Sequence, residues 1–344
     1  MTRETIFISS PLEPEYVERI RALDPDRIEV LYAPELLPPT RYRNDHKGAP
    51  FTRTADQRAR WLEMAGQATI CWDIPGAEEL ALMDRLRWIQ GTSTGIGQHA
   101  KRLNLVTRDI LMTTARGVHA RPLAEFVFMA LLAHWRGLAH LQAEQRAHRW
   151  ERYCVDEVAG KTLVILGAGD LARGTAKVAK ALEMHVAAIA RDPSKARDHG
   201  NLFDEVLPNT AFHAALARAD AVVLTVPHTP ETERIMDTAA IAAMKRGAAL
   251  VNIARGQVVD EPAMIEALRT GHIGFAALDV AEVEPLPPDS PLWDLPNVLI
   301  SPHSASTVSS ENAHILGIFL HNLRCWLDGN LAGMRNVLDK QRMY

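Results

Sequence analysis

The sequence predicts an α/β protein with two parallel-sheet domains, the larger one doubly wound. Three observations carry that expectation. Beyond about residue 160, short continuous apolar runs recur with helical patterns between them, without the polar alternation of strands that keep one face in water. A glycine-containing turn joins the first of these runs to a helix. The first hundred residues repeat the alternation of apolar runs and helical patterns on a smaller scale.

In the first part, Ile6–Ile8, Ile28–Tyr32, Ala68–Trp72 and Arg87–Gln90 read as strands, and Glu15–Leu23 and Ala55–Met64 as helices. One long helix is expected from about Arg121 to Trp150, with Pro122 suited to its first turn. The second part places strands at Thr162–Leu166, His185–Ala190, Ala221–Val226, Ala249–Ile253, Phe275–Leu278 and Val298–Ile300. A last helix, about Ser309–Asp328, carries Ile315, Ile318, Phe319, Leu323, Trp326 and Leu327 on one stripe, which needs a surface to pack against.

At 344 residues the chain is long enough for two domains with sizeable cores. It is 47% apolar and 23% charged with a net charge of -4, which gives no reason to expect nucleic acid or an anionic membrane as partner. The N-terminus lacks the apolar run of a signal peptide, and Glu125, His134 and Arg136 interrupt the most apolar helix. Cys71, Cys154 and Cys325 form no CxxC pair and read as small buried residues of a reducing compartment. A cytoplasmic protein is expected. The spacing of His134, His140 and His148 does not put them on one helix face for a metal, and neither HExxH nor GxSxG occurs.

The run TLVILGAGDLARGTAKVAKAL reads as strand, tight turn and helix. Gly167 allows the turn, Gly169 lets the backbone approach a pyrophosphate, and Ala172 is a permitted third position. With Ala168, Asp170 and Leu171 these residues open a helix whose free N–H groups attract phosphate. The next strand ends at Ala190, where a carboxylate would hold the ribose diol of NAD; Arg191 follows, and an arginine can pair with a 2′-phosphate. NADPH preference is therefore expected. The competing reading makes Arg191 a solvated turn residue and gives Asp192 the acid's role one position late.

Polar groups follow three later strand ends: Arg255 after LVNIA, Asp279 and then Glu284 after FAAL, and His303 after NVLISP. Reducing a 2-oxo acid needs such a set. A cation holds the carboxylate and polarises the carbonyl, and an acid protonates the oxygen; histidine suits that step, and a neighbouring carboxylate orients its ring. Each residue alone has an ordinary reading as a loop or turn residue; their succession at the ends of one sheet's strands favours the chemical one.

The stretches TARGVHARPLAEFVFMALL (114–132), LGAGDLA (166–172), LTVPHTPET (224–232), VNIARGQVVDE (251–261), ALDVAEVEPLPPDSPLW (277–293) and SPHSAS (301–306) together resemble the D-isomer-specific 2-hydroxyacid dehydrogenases. The resemblance implies two Rossmann-like or flavodoxin-like domains: a dinucleotide-binding domain over 113–305, and a substrate domain of 1–112 plus 306–344. It also implies a homodimer contact through 121–150. It makes Arg255, Glu284 (not Glu282) and His303 the catalytic residues, with Ser93, Thr94 and Gly95 as the loop that holds the substrate carboxylate. Cofactor contacts would come from Val226, Pro227, Ile253, Ala254 and Ala305, and from Asp279, which in the family meets the nicotinamide amide. Ala190 departs from the commonest pattern and resembles NADPH-using members, many of which reduce glyoxylate or hydroxypyruvate. The alternatives are an NAD-linked lactate or phosphoglycerate dehydrogenase, and a cofactor-sensing interaction protein on the same fold.

Overall fold

The continuous apolar runs become parallel strands, because residues buried on both faces of a sheet need helices above and below it. The structure is a computed structural model that describes residues 3–196 and 201–341. The chain divides into two units, Met1–Val118 with Thr307–Tyr344, and His119–Ser306.

The first unit holds β1 (Glu4–Ile8), α1 (Pro14–Arg21), β2 (Ile28–Leu31), α2 (Ala55–Gly66), β3 (Ile70–Trp72), α3 (Ala77–Leu80), β4 (Trp88–Gln90), α4 (Gly97–Arg102) and β5 (Leu111–Thr113). Its five strands run parallel in the order β2-β1-β3-β4-β5.

The second unit holds α5 (Ala120–Trp135), α6 (Leu138–Arg146), β6 (Thr162–Leu166), α7 (Asp170–Ala181), β7 (His185–Ala190), α8 (Pro193–Ala196), β8 (Glu205–Pro208), α9 (Phe212–Leu216), β9 (Ala221–Leu224), α10 (Thr238–Ala243), β10 (Ala248–Asn252), α11 (Glu261–Arg269), β11 (Ile273–Leu278) and β12 (Val298–Ile300). Its seven strands are also parallel, in the order β12-β11-β10-β9-β6-β7-β8. Alternate residues of β6 face opposite cores: Leu163 and Ile165 pack with Val127 and Leu131 of α5, while Val164 and Leu166 pack with Leu216 and Ile241. Gly174 lets α7 approach the start of α5, since a Cβ there would lie 2.7 Å from the Ala120 carbonyl oxygen. The register pairs Leu166 with Ile189 and Leu224, Leu224 with Asn252, and Leu278 with Asn252 and Ile300. The residues after these ends therefore emerge along one edge of the sheet.

The last helix, α12 (Glu311–Leu327), belongs to the first unit. Ile315, Phe319 and Leu323 are fully buried in that unit's core, with Ile318, Trp326 and Leu327 packed against it. The Phe319 ring lies 5.4 Å from that of Trp72 and 5.1 Å from that of Trp88.

Three expectations need correction. The single helix over 121–150 is two helices, because Gly137 takes the left-handed conformation (φ 69°) that ends a helix. Strands β5 and β8 were not foreseen. The first is three residues long, and the second is a half-buried edge strand without the apolar run of its neighbours. Of the cysteines only Cys71 is buried; Cys154 lies exposed in the irregular segment after α6, and Cys325 is half-buried.

Candidate active site

Gly167 has φ +113°, and a Cβ there would come within 2.5 Å of Thr225 Oγ1, so both conformation and space demand glycine. Gly169 precedes α7, and a Cβ on it would meet no protein atom within 4 Å. The backbone above the helix N-terminus is thus open to a phosphate-sized group, which fits the cradle of a dinucleotide pyrophosphate. Asp170, in the first turn, is ion-paired with Arg173, which offsets its charge.

Ala190 ends β7 buried at 6% exposure, so its position offers no polar side chain to a ribose. Asp192 Oδ1 accepts from Ser194 N (3.2 Å) and Ser194 Oγ (2.6 Å) and so caps α8. That engagement counts against Asp192 standing in for the missing acid. The exposed Arg191 shares its rim with the loop after β9: Glu231 is held below the usual carboxylate range by the Thr229 hydroxyl first, and in smaller part by the Arg191 charge. Val226 is half-buried and Pro227 exposed at the exit of β9, and Ile253 and Ala254 are buried at the exit of β10.

The exits of β10, β11 and β12 carry Arg255, Glu284 and His303. His303 Nδ1 lies 2.8 Å from Glu284 Oε2, so Nδ1 carries the proton and the ring presents Nε2 as the nitrogen that can exchange one. Glu282, the nearer acid of the same motif, instead pairs with Arg234 at 3.0 Å. Arg255 is exposed, with Nη1 donating to the Ala254 carbonyl at 2.6 Å.

His303 has φ +53°, a strained conformation for a side chain of its size. Asp279 explains how it is held. This carboxylate is buried at 3% exposure, and its Oδ1 accepts from Ser301 Oγ (2.6 Å), Ser304 N (2.8 Å) and Ala305 N (2.9 Å). His303 N donates to the Asp279 carbonyl at 2.8 Å. Asp279 therefore ties down both sides of the histidine. The sequence did not suggest this role, because it depends on a pairing across strands β11 and β12 that leaves no spacing signal.

In the first unit, Ser93, Thr94 and Gly95 form an exposed loop after β4. Its backbone is anchored by Ala115 N donating to the Ser93 carbonyl at 3.2 Å.

A family model described as the D-isomer specific 2-hydroxyacid dehydrogenase NAD binding domain matches residues 128–305. The chain belongs to that family. Among similar proteins, D-3-phosphoglycerate dehydrogenase of Mycobacterium leprae is 36% identical over 69% of this chain, which spans only 44% of that protein's length. Glyoxylate reductase of Thermofilum pendens is 31% identical over 74% of this chain and 76% of its own. The crystal structure of a D-isomer specific 2-hydroxyacid dehydrogenase from Xanthobacter autotrophicus Py2, in complex with NADPH and MES, superposes with a TM-score of 0.74. Its sequence is 27% identical, and the match covers 99% of this chain and 100% of that one. Among the described residues no helix is long and apolar enough to cross a membrane.

Proposed function

We propose that the chain is an NADPH-preferring reductase of small 2-oxo acids, of the glyoxylate or hydroxypyruvate kind, yielding the D-2-hydroxy acid. The observation that carries the reading is the 2.8 Å pair between His303 Nδ1 and Glu284 Oε2, on the strand edge that also presents Arg255. Bound nicotinamide supplies the hydride for the C2 carbon of the substrate. Arg255 binds the substrate carboxylate and polarises its carbonyl. His303 Nε2 delivers the proton to the carbonyl oxygen, and Glu284 keeps the ring oriented.

The turn Gly167–Leu171 holds the pyrophosphate, and Val226, Pro227, Ile253 and Ala254 supply the apolar walls. Asp279 and Ala305 support the nicotinamide end beside His303. Arg191 reads the 2′-phosphate, a role favoured by Ala190 beside it and by the capping duty of Asp192. NADPH in the Xanthobacter homologue supports the cofactor choice, and the glyoxylate reductase relative supports the substrate class. A homodimer through α5, α6 and the following segment is supported by exposed apolar side chains there: Met129, Leu138, Leu141 and, at 98% exposure, Trp150.

The test is the initial rate of NADPH and NADH oxidation with glyoxylate, hydroxypyruvate, pyruvate and a bulky aromatic 2-oxo acid. Faster oxidation of NADPH than of NADH, with glyoxylate and hydroxypyruvate as the best substrates, is expected. Failure to reduce any of the four would overturn the reading, and a faster rate with NADH would overturn the role given to Arg191.

A further inference from the structure

Glu282 occupies the position that the family motif leaves without a catalytic role, yet three loops meet on it. Its backbone N–H donates to Glu261 Oε2 at 3.0 Å, at the start of α11. Its carbonyl accepts from Gln257 Nε2 at 2.8 Å, two residues beyond Arg255. Its side chain accepts from Arg234 Nη2 at 3.0 Å, on the loop after β9. Arg234 N in turn donates to the Gln257 carbonyl at 2.9 Å, closing the ring of contacts. Beneath this ring, Gly256 lies so close to the neighbouring loop that a Cβ would sit 1.9 Å from the Ala281 carbonyl carbon. The segment carrying Arg255 and the segment carrying Glu284 are therefore pressed together at Gly256 and tied at Glu282. Glu284 is two residues further on, and its second oxygen, Oε1, accepts from Ala281 N at 3.3 Å, inside the same clasp.

We propose that Glu282 is a positioning residue, which through Arg234 and Gln257 fixes the Glu284 carboxylate against His303 and sets it relative to Arg255. The proposal rests on the catalytic reading of Arg255, Glu284 and His303. Backbone bonds of Glu282 survive removal of its side chain, so the carboxylate–Arg234 link is the part a substitution isolates. With the side chain 30% exposed, that link adds little to stability, so its effect is expected in geometry and rate.

The experiment uses the full-length protein labelled with 15N-histidine, with the ring signals of His303 assigned by their loss in His303→Gln. Glu284→Ala sets the change expected when Nδ1 loses its acceptor. Glu282→Ala is expected to move the His303 ring nitrogen signals in the same direction and to lower kcat for 2-oxo acid reduction about tenfold, with the NADPH Kd unchanged. Glu282→Gln, whose amide oxygen still accepts from Arg234, restores both, and Glu282→Ala adds nothing on a Glu284→Ala background. Gln257→Ala, which removes the other tie, provides a second variant with the same expected signature. His303 signals in Glu282→Ala and Gln257→Ala that match the wild type would overturn the proposal. A wild-type protein that reduces no 2-oxo acid would overturn the catalytic reading instead, and the ring signals would still decide the clasp.

Discussion

Asp279→Ala removes the acceptor that holds the loop of His303. Three donors converge on Asp279 Oδ1 at 2.6, 2.8 and 2.9 Å, from Ser301, Ser304 and Ala305. A hydrogen bond to a charged group nets about 1.5–3 kcal/mol. Ser301, Ser304 and Ala305 are half-buried, so water reaches their freed donors in part, and the lower end of that range applies. The expected loss is about 3–5 kcal/mol, a large share of the about 5–15 kcal/mol that stabilises an ordinary domain. Asp279→Asn keeps an oxygen in the same place without its charge and is expected to lose only about 1–2 kcal/mol. Urea unfolding followed by far-UV ellipticity measures the loss, and hydrogen exchange over residues 273–306 locates it. Turnover falls as well, by about a hundredfold, because the strained backbone of His303 is no longer held and the ring leaves its aim. If Asp279→Ala costs less than about 1 kcal/mol and the exit of β12 exchanges no faster than in the wild type, the loop is held by something else and the reasoning fails.

Other outcomes follow from the same structure. His303→Ala is expected to cut turnover by about two to four orders of magnitude with the NADPH Kd intact; unchanged turnover removes the histidine from catalysis. Arg191→Ala is expected to weaken NADPH about 10–100-fold and NADH hardly at all, while equal weakening in a titration of both cofactors would make Arg191 a turn residue. Thiol labelling of the native protein is expected to modify the exposed Cys154 first and to leave Cys71 untouched, because burial pushes the Cys71 thiol far up; fast modification of Cys71 would contradict its packing. Glu205 is held down to about 2 by the Arg218 guanidinium first and His185 second, so its contribution to stability is present above about pH 4.5 and is lost as pH falls toward 2. The side chain is 32% exposed, so the effect is small and salt-sensitive. Between pH 5 and 3 the melting temperature of Glu205→Gln should fall less steeply than that of the wild type, and parallel slopes would show that the pair does not matter.

Much of the architecture was legible because its signals are local. A run such as Leu163–Leu166 with no polar interruption declares a strand covered on both faces, and the turn at Gly167 needs a residue that accepts φ +113°. The polar residues after the strands were legible for the same reason: each follows an apolar run directly. Where periodicity misled, a single residue was responsible. Gly137 interrupts a helical pattern whose apolar spacing continues beyond it, and only the left-handed backbone shows that the helix stops. The edge strand β8 escaped because an edge residue needs no continuous apolar run.

The amino-acid sequence by itself determined two parallel sheets, a glycine turn between strand and helix and an alanine at the end of β7 that offers no polar side chain, since backbone preference and apolar periodicity act over a few residues. The tertiary structure decided what depends on distant parts of the chain. It gave α12 to the first unit, where Trp326 Nε1 donates to Glu4 Oε1 at 3.1 Å from 322 residues away. It set Glu284 on His303 and sent Glu282 to Arg234, two acids two residues apart with different partners. It bound the loop of His303 to a buried carboxylate just past the end of the neighbouring strand. Such choices rest on which groups lie within about 3 Å after folding, a distance that residue order along the chain does not encode.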